Sequence, residues 1–427
     1  MPDADLLIRG AEPADVAIAD GLVVAVGREL GLTAAKTVDA TGLRVLAGAV
    51  DAHVHFNDPG RADWEGWATG TAAAAAGGTT CVIDMPLNAH PPTLDADSFR
   101  RKLAAAEASA VVDFAFWGGL VPGNVERLAE LADAGVVGFK AFMCPSGIDD
   151  FEAADERTLR EGMAEAARLG LPVAVHAESA AITEDLAAAA AGRGWRDYAA
   201  TRPIEAELEA IAQAIVLAEE TGCSLHVVHV STGRGVRLVT AARVRGVDVT
   251  CETCPHYLVL DRDDLEALGA VAKCAPPLRP RAERDDLRAE LAAGSIDLVA
   301  SDHSPSPSSL KEGDDAFAVW GGISGCQSLL ALALTEGVPL ELVTERPAAR
   351  FRLPGKGRLV PGADADLVLV DPSAETVLRA GDLRYRHRHS PYVGRRLRGR
   401  VAGTWLRGRP VVAGEPRGRL VRPSAAG

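Results

Sequence analysis

Four imidazoles, one lysine and one carboxylate carry the chemistry that this sequence can do. The stretch Asp51-Ala52-His53-Val54-His55-Phe56-Asn57-Asp58-Pro59-Gly60-Arg61 follows the apolar run Leu43 to Val50. Residues i and i+2 of a strand share a face, so His53 and His55 form half of a site for a transition metal. Taken alone, such a pair reads equally well as two polar residues at a strand end. Partners give it meaning, and Lys140, His176, His229 and Asp302 each stand near the end of another apolar, β-branched run.

The elements that must position these residues emerge from the rhythm of the chain. From about residue 48 an apolar run is followed by a loop and a helix-like stretch, and the pattern repeats. Strand candidates end at His55, Met85, Leu120, Phe142, His176, Val230, Cys254 and Asp302. Ala/Leu/Glu-rich segments at 125–134, 156–169, 205–220 and 282–292 lie between them. Eight alternations predict an α/β fold of the (β/α)8 TIM-barrel type, whose reactive residues gather at the C-terminal ends of the strands. Short β-like pieces at Leu6–Arg9, Asp15–Ile18 and Leu22–Val26 precede the barrel, and 357–371, 396–410 and 411–414 follow it. They predict a small β-sandwich domain built from residues 1–47 and 357–427, with the catalytic barrel at 48–356 inserted. Period-2 counting turns His226 away from His229 and His303 away from Asp302. His90, His256, His387 and His389 fall in loops or in the β domain, and only His256, at the mouth of the seventh strand, stands close to the cluster.

Composition narrows the function. With 427 residues, 48% hydrophobic and 24% charged, the chain is expected to be a soluble globular protein. A net charge of -14 argues against nucleic acid or an anionic membrane as partner. Twelve of the last 44 residues are Arg. They lack interleaved aromatics and sit in strand-like sequence, which predicts a solvated or subunit-contact surface. The start MPDADLL does not resemble a targeting peptide, and no apolar run is long enough to span a bilayer. Seven cysteines in a chain this long predict a reduced, cytoplasmic protein, and Cys251-Glu-Thr-Cys254 has no second pair with which to hold zinc.

Lys140 has two readings. It is a strand-end lysine that reaches solvent or a carboxylate, or it is a neutral amine that adds carbon dioxide and becomes an anionic two-oxygen ligand. The second gains weight because four His and an Asp build a site with no other bridging carboxylate in view. The segments HVHFNDPGR, CVIDMPLN, GFKAFM, VHAES, HVVHVS, CETCPHYLVL, KCAPPLR, SDHSP and YRHRHSPYVGR together resemble the cyclic amidohydrolases of the metal-dependent amidohydrolase superfamily, and among them most the allantoinases. The resemblance implies two divalent ions, zinc in the first place and cobalt, nickel, manganese or iron as alternatives. It implies that His53, His55 and Asp302 hold one ion and His176 and His229 the other. N6-carboxylated Lys140 and a hydroxide would bridge them, with Asp302 as general base and acid. It also implies a homotetramer.

Substrate choice is read from differences within that resemblance. Asn57 stands where a dihydroorotase carries an Arg for the substrate carboxylate, and Met85-Pro86-Leu87-Asn88 departs from Met-Pro-Asn. The absence of a fixed cation suits neutral allantoin. Asn57 and Arg61 are expected near its ureido group, the main chain at Cys274 and Ala275 near its ring amide, and Ser304, on the strand face of Asp302, as a donor. Hydantoinase, dihydropyrimidinase and dihydroorotase remain rivals, as does a non-catalytic scaffold of the same fold.

Overall fold

The computed structural model describes residues 2–425. Eight parallel strands form a barrel: Ala49–Val54, Thr79–Asp84, Asp113–Phe116 continued by Gly118–Gly119, Phe139–Phe142, Val173–His176, Leu225–Val227, Val249–Thr253 and Leu298–Val299. Each pairs in parallel with the next. The ring closes where the amide of His55 donates to the His303 carbonyl at 2.7 Å, a bridge between the ends of the eighth and first strands. Strands packed on both faces need apolar residues on both. Accordingly Val50, Ala52, Cys81, Ile83, Ala115, Trp117, Ala174, Leu298 and Ala300 fill the interior, while Val82, Phe114, Phe139, Val173, Leu225 and Val249 pack outward against the helices. The eight strands match the sequence expectation, and so do helices at Leu128–Ala134, Glu156–Leu169, Ile204–Thr221 and Arg281–Ala292. The second of these starts where the Asp155 side chain accepts the Thr158 amide. It ends at Gly170, whose φ of 67° lets the chain turn back to the next strand.

Two four-stranded sheets make the β sandwich. One orders Leu22–Gly27, Asp15–Ala19, Ala4–Arg9 and Ala34–Asp39; the other orders Arg409–Pro410, Arg396–Leu406, Leu367–Val377 and Arg44–Ala47. Leu6, Ile8, Val16, Ile18, Val45, Leu367 and Leu369 interdigitate between them. The N- and C-terminal segments are thus one unit, because Leu367–Val370 hydrogen-bonds to Arg44–Ala47. Two details depart from the sequence reading. Residues 357–366 and 411–414 are not strands. Beyond them the chain returns to the barrel: Phe114 donates to Arg419 and Val421 to Phe114, and Val421 enters the barrel interior.

Candidate metal and active site

The first strand carries His53 on its last turn of regular backbone and His55 just beyond it. Their Nε2 atoms lie 3.2 and 3.5 Å from the same oxygen, Asp302 Oδ1. Asp302 sits three residues past the eighth strand with φ 45°, and His229 two past the sixth with φ 40°. Both therefore reach the barrel axis through left-handed backbone, not through strand alternation. Strain of this kind persists where the surroundings fix it, commonly at functional sites. On the fifth strand, His176 Nδ1 meets His229 Nε2 at 3.0 Å, and its ring stacks on Phe142 at 4.5 Å. His53 and His229 ring centroids are 5.6 Å apart, so the two pairs share one floor. Lys140 rises into that floor from the fourth strand. It is fully buried, and its Nζ has no hydrogen-bond partner. Burial pushes its ammonium down to about 7.

Two carboxylates absent from the sequence reading orient these imidazoles. Glu252 Oε1 accepts from His53 Nδ1 at 2.5 Å, and its Oε2 accepts from His226 Nε2 at 3.2 Å. Glu178 Oε2 accepts from His176 Nε2 at 2.8 Å and from Arg202 Nη2 at 2.6 Å. Burial alone would raise both carboxyls. The neighbouring imidazoles, with Arg202 beside Glu178, overcome it and hold each at about 2. Each carboxylate fixes a proton on one ring nitrogen and leaves the other as a lone pair aimed at the cavity. In that neutral tautomer His53 Nε2 sets a lone pair against the Asp302 carboxylate at 3.2 Å, a repulsion that a proton or a cation between them removes. Together with the unpartnered Lys140 Nζ and His229 Nδ1, this arrangement fits a cationic occupant, and the His/Asp donor set fits borderline divalent metals. Asp302 is likewise held low: burial raises it, but His53 and His55 outweigh that and keep it ionised.

A signal for Glu252 was present in the sequence. A carboxylate inside an otherwise apolar strand must be paired when buried. Its partner His226 corrects the parity argument. His226 faces the barrel interior, in register with Ala174 and Thr250, and not a helix. Counting by twos from His229 fails because His229 lies outside the strand at positive φ. His256 also differs from expectation. It is in a helix, Pro255–Val259, fully buried, with neither ring nitrogen bonded. His303 turns away from Asp302 as expected, toward Glu65 and Tyr385.

Above the histidines a cavity of about 430 Å³ is lined by His53, His55, His176, His229 and Asp302. Tyr198, Lys273, Cys274, Ala275, Ser304 and residues 317–322 line it too. A larger cavity of about 770 Å³ lies between helices Trp67–Ala76 and Leu329–Glu336 and the strands Leu367–Val377 and Arg396–Leu406. It contains none of the chemistry-bearing residues. Of the expected substrate contacts, Cys274, Ala275 and Ser304 reach the smaller cavity. Ser304 does so from a loop, not from a strand face shared with Asp302. The Cys274 carbonyl already accepts from Tyr198 Oη at 2.9 Å. Asn57 and Arg61 do not line the cavity. Asn57 is buried at φ 64° and donates to the Pro305 carbonyl. Arg61 donates to the Asn88 carbonyl and lies over the Trp64 ring. Both shape the loop after the first strand.

Residues 44–411 match the model of the amidohydrolase family. The chain is 59% identical to an allantoinase of Rubrobacter xylanophilus, covering 99% of this chain and 98% of that protein. It is 47% identical to an allantoinase of Deinococcus radiodurans, covering 98% and 99%. Among solved structures, an L-hydantoinase (dihydropyrimidinase) from Arthrobacter aurescens superposes with a TM-score of 0.94 at 35% identity over 98% of this chain and all of that one. A dihydropyrimidinase from Brevibacillus agri gives 0.88 at 31% over 99% and 98%.

Proposed function

Because this chain belongs to the amidohydrolase family, we infer that it is a hydrolase of cyclic amides that opens the ring of allantoin to allantoate. The observation that carries the substrate is the near-complete, 59% identical match to an allantoinase. The observation that carries the chemistry is the convergence of His53, His55 and Asp302 within 4.8 Å of one another, beside His176 and His229.

In this reading His53, His55 and Asp302 would hold one divalent ion, His176 and His229 would hold a second, and Lys140 would serve both. When bound, the ions supply Lewis acidity, which acidifies water and polarises the scissile carbonyl. A buried, unpartnered amine that is readily neutral supports N6-carboxylation of Lys140, and imidazole-rich donors support zinc. Glu252 and Glu178 keep His53 and His176 oriented with their free lone pairs toward the cavity. Asp302 is ionised before reaction. It accepts the proton of the attacking water and delivers it to the departing ring nitrogen, acting as base and then acid. A C–O bond forms, the ring C–N bond breaks, and a carboxylate and an extended ureide result. Residues 48–356 form the catalytic unit, and 1–47 with 357–427 its β companion. Seven free, buried cysteines support a reducing, cytoplasmic setting. No helix among the described residues is long and apolar enough to cross a membrane. A homotetramer follows from the family resemblance alone.

A side-by-side assay tests the substrate. The protein, loaded with zinc in the presence of bicarbonate, is expected to open allantoin faster than hydantoin, dihydrouracil or dihydroorotate. Preference for any of the last three refutes the assignment.

A further inference from the structure

Allantoin differs from a bare hydantoin by its ureido arm, and neither Asn57 nor Arg61 is placed to receive it. The cavity lining offers another group. Lys273 is 6% exposed and lines the cavity next to Cys274 and Ala275. Its Nζ donates to the Val319 carbonyl at 2.6 Å and lies 4.7 Å from the centre of the Tyr198 ring. No carboxylate among the described residues lies within 4 Å of it. The other cation on the wall, Arg202, is neutralised by Glu178 at 2.6 Å. Lys273 is therefore a nearly buried ammonium with three donors, one engaged by a carbonyl and none by a counter-charge. A desolvated ammonium in this state favours an electron-rich oxygen from the ligand. It stands next to Cys274 and Ala275, the stretch that the sequence assigns to the ring amide.

We propose that Lys273 is a specificity-determining residue that donates a charge-assisted hydrogen bond to the ureido carbonyl oxygen of the substrate. The proposal rests on allantoin being the substrate. Its ureido carbonyl is neutral but strongly accepting, so it suits one ammonium without calling for the paired Arg that a carboxylate takes. Tyr198 holds the site by two contacts: its face carries the Lys273 ammonium, and its hydroxyl fixes the Cys274 carbonyl. Phe317, 5.9 Å from Tyr198, closes the outer edge.

The test compares two ligands on three proteins. Zinc-loaded wild type, Lys273→Gln and Lys273→Met are assayed with allantoin and with hydantoin, which lacks the ureido arm. Dissociation constants are measured in parallel by calorimetry in an Asp302→Asn background, and metal content and melting temperature check folding. We expect the kcat/KM ratio of allantoin over hydantoin to fall about tenfold or more in Lys273→Met. Most of that fall should appear as weaker allantoin binding, with Lys273→Gln intermediate because it keeps a neutral donor. Equal losses for both ligands indicate that Lys273 only anchors the Val319 segment, and they overturn the proposal. An unchanged ratio overturns it as well. Wild type that fails to open allantoin overturns the functional reading itself, a result distinct from either.

Discussion

Glu252 makes the residue-scale point. One buried carboxylate accepts from His53 on the first strand and His226 on the sixth, so its charge fixes the tautomer of an imidazole that belongs to another strand. Glu252→Gln keeps the shape but no longer demands that tautomer. Zinc affinity is expected to fall about 10- to 100-fold, read by competition with a chromophoric chelator. Wild-type affinity in that variant would show that Glu252 does not orient His53. Lys140 supplies the complementary case. Its Nζ is buried without a partner, and Lys140→Ala should lose both bound metal and activity. Short carboxylic acids added to Lys140→Ala should return part of each. Full metal content without them contradicts a bridging role for Lys140.

Elements bring these residues to one floor, and they do so at their ends. The strands are regular only as far as Val54, Val227 and Val299. His55, His229 and Asp302 lie past those ends, where positive φ at the last two replaces alternation. The first strand end is braced from behind. Phe56 is fully buried against Trp67, whose ring centre lies 5.1 Å away, and against the helix Trp67–Ala76. A Cβ on Gly70 of that helix would meet the Phe56 ring at 2.4 Å. Gly70→Ala raises helix propensity, yet it should destabilise the protein by about 1–3 kcal/mol, because the ring has no free space to enter. A melting temperature equal to or above wild type would show that the brace is soft. Opposite, residues 317–322 are pinned by lysines through carbonyls. Lys311 Nζ donates to the Trp320 and Gly322 carbonyls and Lys273 to that of Val319.

Across the whole molecule, the barrel and the sandwich are joined by a buried charge cluster. Lys356 pairs with Asp113 at the start of the third barrel strand, with Asp366 at 2.8 Å and with Asp364 at 2.6 Å; Arg407 of the sandwich also reaches Asp113. Three carboxylates this close could hold a metal, but the Lys356 ammonium already occupies their centre. Lys356→Met leaves them uncompensated and should cost about 3 kcal/mol or more of stability, seen as a shifted denaturant midpoint. An unshifted midpoint means the junction is held by packing alone. The cluster is far from the histidines, so the residual folded protein should retain its metal.

The sequence by itself determined the architecture and the residue types that meet at the strand ends. Eight buried strand runs, the helix-like segments between them and the flanking β pieces are local patterns of period and composition, and period and composition are properties of a linear chain. His53, His55, Lys140, His176, His229 and Asp302 were legible because barrel topology sends strand ends to one face, whatever the details. What only the tertiary structure decided depends on pairs distant in sequence or on backbone outside regular elements. Glu252 meets His53 across 199 residues. His226 faces inward through its register with Ala174, and counting by twos from His229 missed this because His229 lies past the strand. Asn57 and Arg61, adjacent to the ligands in sequence, face the loop after the first strand because positive φ at Asn57 redirects the chain. Lys273, 220 residues away from His53 in sequence, lines the cavity instead. Strand-end position in a barrel was readable from the chain; which side chains line the cavity beside the histidines was decided in space.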